Sequence, residues 1–123
     1  MILGFVTSGL EATIRLHVED ATGQSQAIDV KIDTGFSGFM SLPGFVVSVL
    51  KLPWLYEEAV LLADGSVVKV DVHSVIVLWN GKARRVDVHA MGTNRLIGMG
   101  MLAAHELRIV ALDGGPVSID AVP

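Results

Sequence analysis

The sequence predicts a small all-β fold, a barrel or a sandwich, with one or two short helices. Three observations predict it. The dominant hydrophobic period is two: Ile14, Leu16 and Val18 alternate with Arg15, His17 and Glu19, as in a strand with one buried face. Asp64-Gly65 and Asn80-Gly81 each stand between apolar extended runs, where such pairs signal hairpins. Short extended segments follow one another at even spacing, and stretches of helical composition are brief.

The elements follow in order. After the strand ending at Glu19, Thr22-Gly23-Gln24-Ser25 reads as a turn, and Ala27 to Ile32 resumes the alternation. Glycine breaks the pattern at Gly35 and Gly38, and Phe39 to Leu42 is short and extended. Pro43 suits the first position of a short helix reaching Leu50, and Pro53 closes that segment. Tyr56 to Ala63 and Ser66 to Trp79 flank Asp64-Gly65, which a two-residue type I′ turn would place at positive φ. Asn80-Gly81 leads into Ala83 to Met91, and Gly92 to Arg95 is a loop. Leu96-Ile97-Gly98 precedes a short helix expected over Met99 to Glu106. Leu107 to Leu112, the turn Asp113-Gly114-Gly115, and Val117 to Ala121 complete the chain.

A chain of 123 residues points to one domain over 1–123, with room for one core but not two catalytic lobes. Hydrophobic residues make up 51% and charged residues only 18%, so a subunit interface is a natural outlet for apolar surface. The net charge of −4 leaves no nucleic-acid footprint, and Lys82, Arg84 and Arg85 read as a solvated hairpin end. There is no cysteine, which excludes disulfides and thiolate chemistry and fits a reducing compartment. Met1 to Val6 lacks the basic flank of a signal peptide, and no apolar run approaches the roughly 18 residues of a membrane helix. A cytoplasmic protein without membrane or nucleic-acid partners is expected.

The informative stretch is Val30-Lys31-Ile32-Asp33-Thr34-Gly35. A strand ends on a carboxylate, followed by a small hydroxyl residue and a glycine. Such an acid is held rigidly, Gly35 permits close approach, and Thr34 has a hydroxyl to bond a loop. The same tripeptide also suits an Asx turn with no chemistry attached. Elsewhere the candidates are weaker. His17, His73 and His89 fall on the polar phase of strands, His105 falls in the late helix, and no pair has zinc-motif spacing, so no metal site is expected. Ser37 and Ser41 lack a G-x-S-x-G elbow. Glu57-Glu58 opens a strand and reads as solvated, Met99 and Met101 as core fillers, and Trp54 and Trp79 as core or interface anchors.

Asp33-Thr34-Gly35 resembles the active-site triplet of aspartic proteases, and DTGFSGFMSLP resembles the bacterial branch of the retropepsin-like family. Leu96-Ile97-Gly98 is similar to that family's second signature, an apolar pair and glycine ahead of a short helix. The resemblance implies a closed β-barrel and a homodimeric peptidase without cofactor, with Asp33 catalytic and with Thr34, Gly35, Leu96, Ile97 and Gly98 supporting the catalytic loop. It implies a flap at Ala63, Asp64, Gly65 and Ser66 over a peptide or protein substrate. It also implies terminal strands, Ile2 to Val6 and Val117 to Ala121, that join two subunits. Because the chain has a single Asp-Thr-Gly, the second carboxylate of a dyad has to come from a second copy. The chain departs from the viral pattern at Phe36, where alanine is usual, and in its single-glycine flap tip. A dimeric peptide-binding module without catalysis, and an unrelated β fold whose Asp-Thr-Gly is only a turn, are the alternatives.

Overall fold

The computed structural model describes residues 1–123. Strands account for 54% of them and helices for 9%, so the chain is mostly β. The strands are β1 (Ile2–Val6), β2 (Ala12–Glu19), β3 (Ser25–Ile32), β4 (Met40–Leu42), β5 (Trp54–Leu61), β6 (Val67–Trp79), β7 (Lys82–Ala90), β8 (Leu96–Ile97), β9 (His105–Ile109) and β10 (Pro116–Ala121). Two short helices, α1 (Gly44–Leu50) and α2 (Met99–Leu102), interrupt them.

The strands run in the order β5-β6-β7-β4-β8-β3-β2-β1-β10-β9, and a further pairing of β6 with β2 closes β6, β7, β4, β8, β3 and β2 into a ring. Alternation explains β2: Ile14, Leu16 and Val18 point inward and are buried, and Arg15, His17 and Glu19 point out. Long β6 changes phase midway. Val70, Val72 and Ser74 are buried on one parity, and Val75, Val77 and Trp79 on the other, so its two halves serve different faces. Within the ring, Ile14, Val18, Val30, Met40, Leu42, Val77, Val88, Ile97 and Met101 join one apolar cluster, each at most 2% exposed. No helix is long and apolar enough to cross a membrane.

Three expectations change. The late helix ends at Leu102, not Glu106: Ala103 is extended and Ala104 takes φ 64°, and His105 then pairs with Ala121. Pairing against β10 overrides the local helical preference, so His105 sits on a strand. Within α2, Met99 is exposed, and of the two methionines expected in the core only Met101 fills it. The Asp64-Gly65 hairpin is not a two-residue type I′ turn. Gly65 N–H donates to Leu62 O at 3.0 Å and Gly65 alone has positive φ, +85°, so Ala63-Asp64-Gly65 forms a three-residue loop ending in a left-handed glycine. Asn80-Gly81 does place both residues at positive φ, 51° and 77°. Within the chain the terminal strands pair with each other. β1 lies between β2 and β10, β10 lies between β1 and β9, and the outer edges are β5 and β9.

Candidate active site

Asp33 follows the last residue of β3, where two parts of the chain cross. Lys31 N–H donates to Arg95 O at 2.8 Å and Asp33 N–H to Ile97 O at 2.9 Å, so β8 fixes the end of β3 from one side. Beyond Asp33 the chain turns back, with Phe36 N–H donating to Asp33 O at 3.2 Å. Gly98 N–H then bonds Phe39 O, Met99 N–H bonds Phe36 O, and Gly100 N–H bonds Gly38 O, at 2.7–3.0 Å. The 36–39 and 98–100 segments thus lie backbone to backbone. A Cβ on Gly98 would stand 2.5 Å from the carbonyl oxygens of both Gly38 and Phe36, so only glycine fits this crossing. Ile97 is fully buried against Met40, its register partner on β4, and Leu96 is half-buried.

The Asp33 carboxylate is half-buried and accepts the Gly35 N–H on Oδ1 at 2.9 Å. That bond is the one an Asx turn makes, and it leaves Oδ2 without a partner in the chain. Thr34 is exposed, and its hydroxyl makes no hydrogen bond within the chain. Asp33 lines a groove of about 440 Å³ with Val6, Leu10, Ile32, Leu96 and Ile109. Apolar side chains in its lining face solvent, Leu10 at 68% and Ile109 at 42% exposure, and Leu112, next to the lining residue Ala111, is exposed too. The other carboxylate in this groove, Glu11, is tied to the Lys31 ammonium at 2.5 Å.

A second cleft, of about 330 Å³, separates the loop after Asp33 from the strand that enters the β5–β6 hairpin; Phe36, Gly38, Glu58, Leu61 and His89 line it. Phe36 meets the His89 ring edge-on, 5.7 Å between centroids, and a Cβ on Gly38 would press into the same phenyl ring. His89 in turn bonds Glu58 through Nε2 at 2.6 Å, and its Nδ1 is buried without a partner. The sequence pattern puts His89 on the polar phase of a strand and Glu58 in water. Both are half-buried, and so are His73, whose Nδ1 meets Leu52 O, and His105, which accepts the Trp79 N–H.

The structure brings together Asp33, Thr34, Gly35, Leu96, Ile97 and Gly98. Of the expected flap residues, none of Ala63, Asp64, Gly65 and Ser66 lines the groove holding Asp33. Asp64 turns onto its own loop, where the Ser66 hydroxyl and amide hold its carboxyl below the usual range. Sequence reasoning missed Glu11, Lys31 and Asn94, which line the groove or border it. Lys31 carried a signal, standing two residues before Asp33 on the same strand.

No protein-family model matches the sequence, and no curated protein matches it. Among solved structures, the crystal structure of a retropepsin-like aspartic protease from Rickettsia conorii matches at a TM-score of 0.62 and 17% identity, over 98% of this chain and 91% of that one. At that identity the likeness is one of architecture. The chain has a retropepsin-like fold.

Proposed function

We propose that the protein is an aspartic endopeptidase whose active site forms when two copies bring their Asp33 carboxylates together. The observation that carries this reading is the lone, half-buried Asp33 at a rigid chain crossing, opening on a groove rimmed with exposed apolar side chains. Glu11 is not free to complete a dyad, because Lys31 holds it. A second copy seated on the exposed Val110 and Leu112, beside the groove, would cover that apolar surface and supply the second carboxylate, leaving Leu10 and Ile109 to line the space for substrate. The unbonded Thr34 hydroxyl would then face the partner's loop.

The chemistry follows from two close carboxylates, which do not both ionise and so hold one proton between them. The ionised Asp33 takes a proton from a water molecule, whose oxygen attacks the peptide carbonyl carbon. The protonated Asp33 gives its proton to the carbonyl oxygen, forming a neutral gem-diol. Transfer of a proton to the amide nitrogen then breaks the C–N bond and releases an acid and an amine. No metal or organic cofactor enters these steps. A cytoplasmic setting accords with the cysteine-free sequence.

The second reading, a dimer that binds peptides without cutting them, draws on the hairpin tip, where Asp64 is engaged by Ser66 and no tip residue lines the groove at Asp33. Dilution tests the first. Turnover per chain of a peptide library should collapse below the dimer dissociation constant and return on concentration. Activity per chain that is constant across the monomer–dimer transition would rule out a shared site.

A further inference from the structure

The groove at Asp33 has a polar wall. The Lys31 ammonium touches Glu11 Oε2 at 2.5 Å and Asn94 Oδ1 at 3.1 Å, and Glu11, Lys31, Asn94 and Asp33 all line the same space. Leu10, Ile32, Leu96 and Ile109 supply its apolar side. We propose that Lys31, Glu11 and Asn94 make this groove select an uncharged substrate side chain with an apolar stem and an amide tip, glutamine above all. The proposal rests on the reading of the groove as a peptide site.

An ammonium has three N–H donors, and Lys31 uses two on Glu11 and Asn94, so one remains for a ligand. The Asn94 amide accepts from Lys31 through oxygen, which leaves its NH2 group to donate. Glu11 retains an acceptor oxygen. The wall therefore offers donors and an acceptor side by side. A primary amide presents the complementary set, and its methylenes lie against the apolar side chains. A carboxylate brought here meets Glu11 and Asp33, with only an already neutralised Lys31 in its favour. An ammonium brought here meets Lys31, with an already neutralised Glu11 in its favour and Asp33 as the one unpaired carboxylate, which the Asp33→Asn protein lacks. Against the neutral Glu11–Lys31 pair either charged side chain loses hydration without gaining a countercharge from it, whereas an amide keeps its hydrogen bonds.

Lys31 and Glu11 remain partly exposed, at 35% and 46% of their side chains, so solvent screens them and the selectivity is moderate, about three- to fivefold per interaction. Breaking the pair gives a sharper signature. With Glu11→Gln the ammonium stands uncompensated, and acidic side chains gain over basic ones. With Lys31→Met the carboxylate stands uncompensated, and the order reverses.

The test measures binding and cleavage separately. Labelled apolar hexapeptides, with Gln, Met, Glu or Lys scanned through each position, are titrated by fluorescence anisotropy against Asp33→Asn protein, which keeps the groove without cutting. The expected result is a position where Gln binds about three- to fivefold tighter than Met, Glu or Lys. Adding Glu11→Gln should then favour Glu over Lys, Lys31→Met should favour Lys over Glu, and Asn94→Leu should remove the advantage of Gln over Met. A preference order that none of these changes overturns the proposal, and so does the absence of binding by every peptide. Turnover of the same peptides by the wild-type protein is scored apart. Selective binding without turnover removes the peptidase reading and leaves the selectivity standing. Turnover with no charge reversal does the opposite.

Discussion

Gly98→Ala is the substitution whose consequence is most fully determined by geometry. The new methyl would lie 2.5 Å from the Gly38 and Phe36 carbonyl oxygens and 2.6 Å from a ring carbon of Phe36. Carbon and carbonyl oxygen are comfortable at about 3.3 Å or more, so the two backbones have to separate by roughly 0.8 Å. The bonds across that contact, Gly98 N–H to Phe39 O at 3.0 Å and Met99 N–H to Phe36 O at 2.7 Å, would stretch to the edge of hydrogen bonding or beyond it. Two weakened backbone bonds at about 1 kcal/mol each, with overpacking strain of about 1–3 kcal/mol, give a loss of about 3–5 kcal/mol. That is a large part of a typical domain's total stability and corresponds to a melting temperature roughly 10–20 °C lower. Gly44→Ala supplies the contrast. Gly44 opens α1 with nothing within 4 Å of its Cβ position, so alanine should stabilise by up to about 1 kcal/mol. Differential scanning calorimetry of both variants reads the difference. A Gly98→Ala protein melting within about 2 °C of wild type would refute the crossing as the constraint that holds the Asp33 loop.

Further predictions follow from the turns. Asp20 accepts from the Thr22 hydroxyl, the Thr22 and Gln24 amides and the Gln26 side chain, and its carboxyl is lowered from 3.8 to about 2. Because the folded value is depressed, its stabilisation is full above pH 3.8 and is lost as pH falls toward 2, so Asp20→Asn should lower the melting temperature at neutral pH and flatten its decline across that window. Thermal melts at stepped pH check this; parallel curves for the two proteins would count against it. Gly65→Val forces a β-branched residue to φ +85°, at a cost of about 1–2 kcal/mol, and Gly65→Asn should be tolerated far better. If the hairpin closes over bound peptide, turnover falls more than stability does; equal losses measured by melting and by peptide assay would assign the turn a purely structural part.

The sequence made the period-two strands legible because alternation is local. Ile14, Leu16 and Val18 announce both the strand and its buried face, and Asn80-Gly81 announces a turn that only its own two residues have to make. The late helix failed because its end is decided elsewhere. Met99 to Glu106 has helical composition, but His105 is claimed by Ala121. Asp33 and the Leu96-Ile97-Gly98 segment were legible as a pair through their order in the chain, and the structure joins them by Asp33 N–H to Ile97 O. The polar wall was not legible. Lys31 and Asn94 lie 63 positions apart and meet only because β8 pairs with β3 in parallel. The phase change in β6 was hidden too, because a run of valines reads as buried on either parity. It separates the face that carries the hairpin from the face that closes the ring.

The central claim is that Asp33 does the chemistry as one of a facing pair. Its most direct test is peptide turnover by wild type and by Asp33→Asn, measured with the melting temperature of each dimer. The Asp33→Asn variant keeps the shape of the side chain and removes both the base and the like-charge repulsion. The account predicts wild-type cleavage, complete loss of cleavage in the variant, and a dimer that melts at the same temperature or higher. Undiminished cleavage by Asp33→Asn would contradict it and leave Asp33 as the cap of an Asx turn.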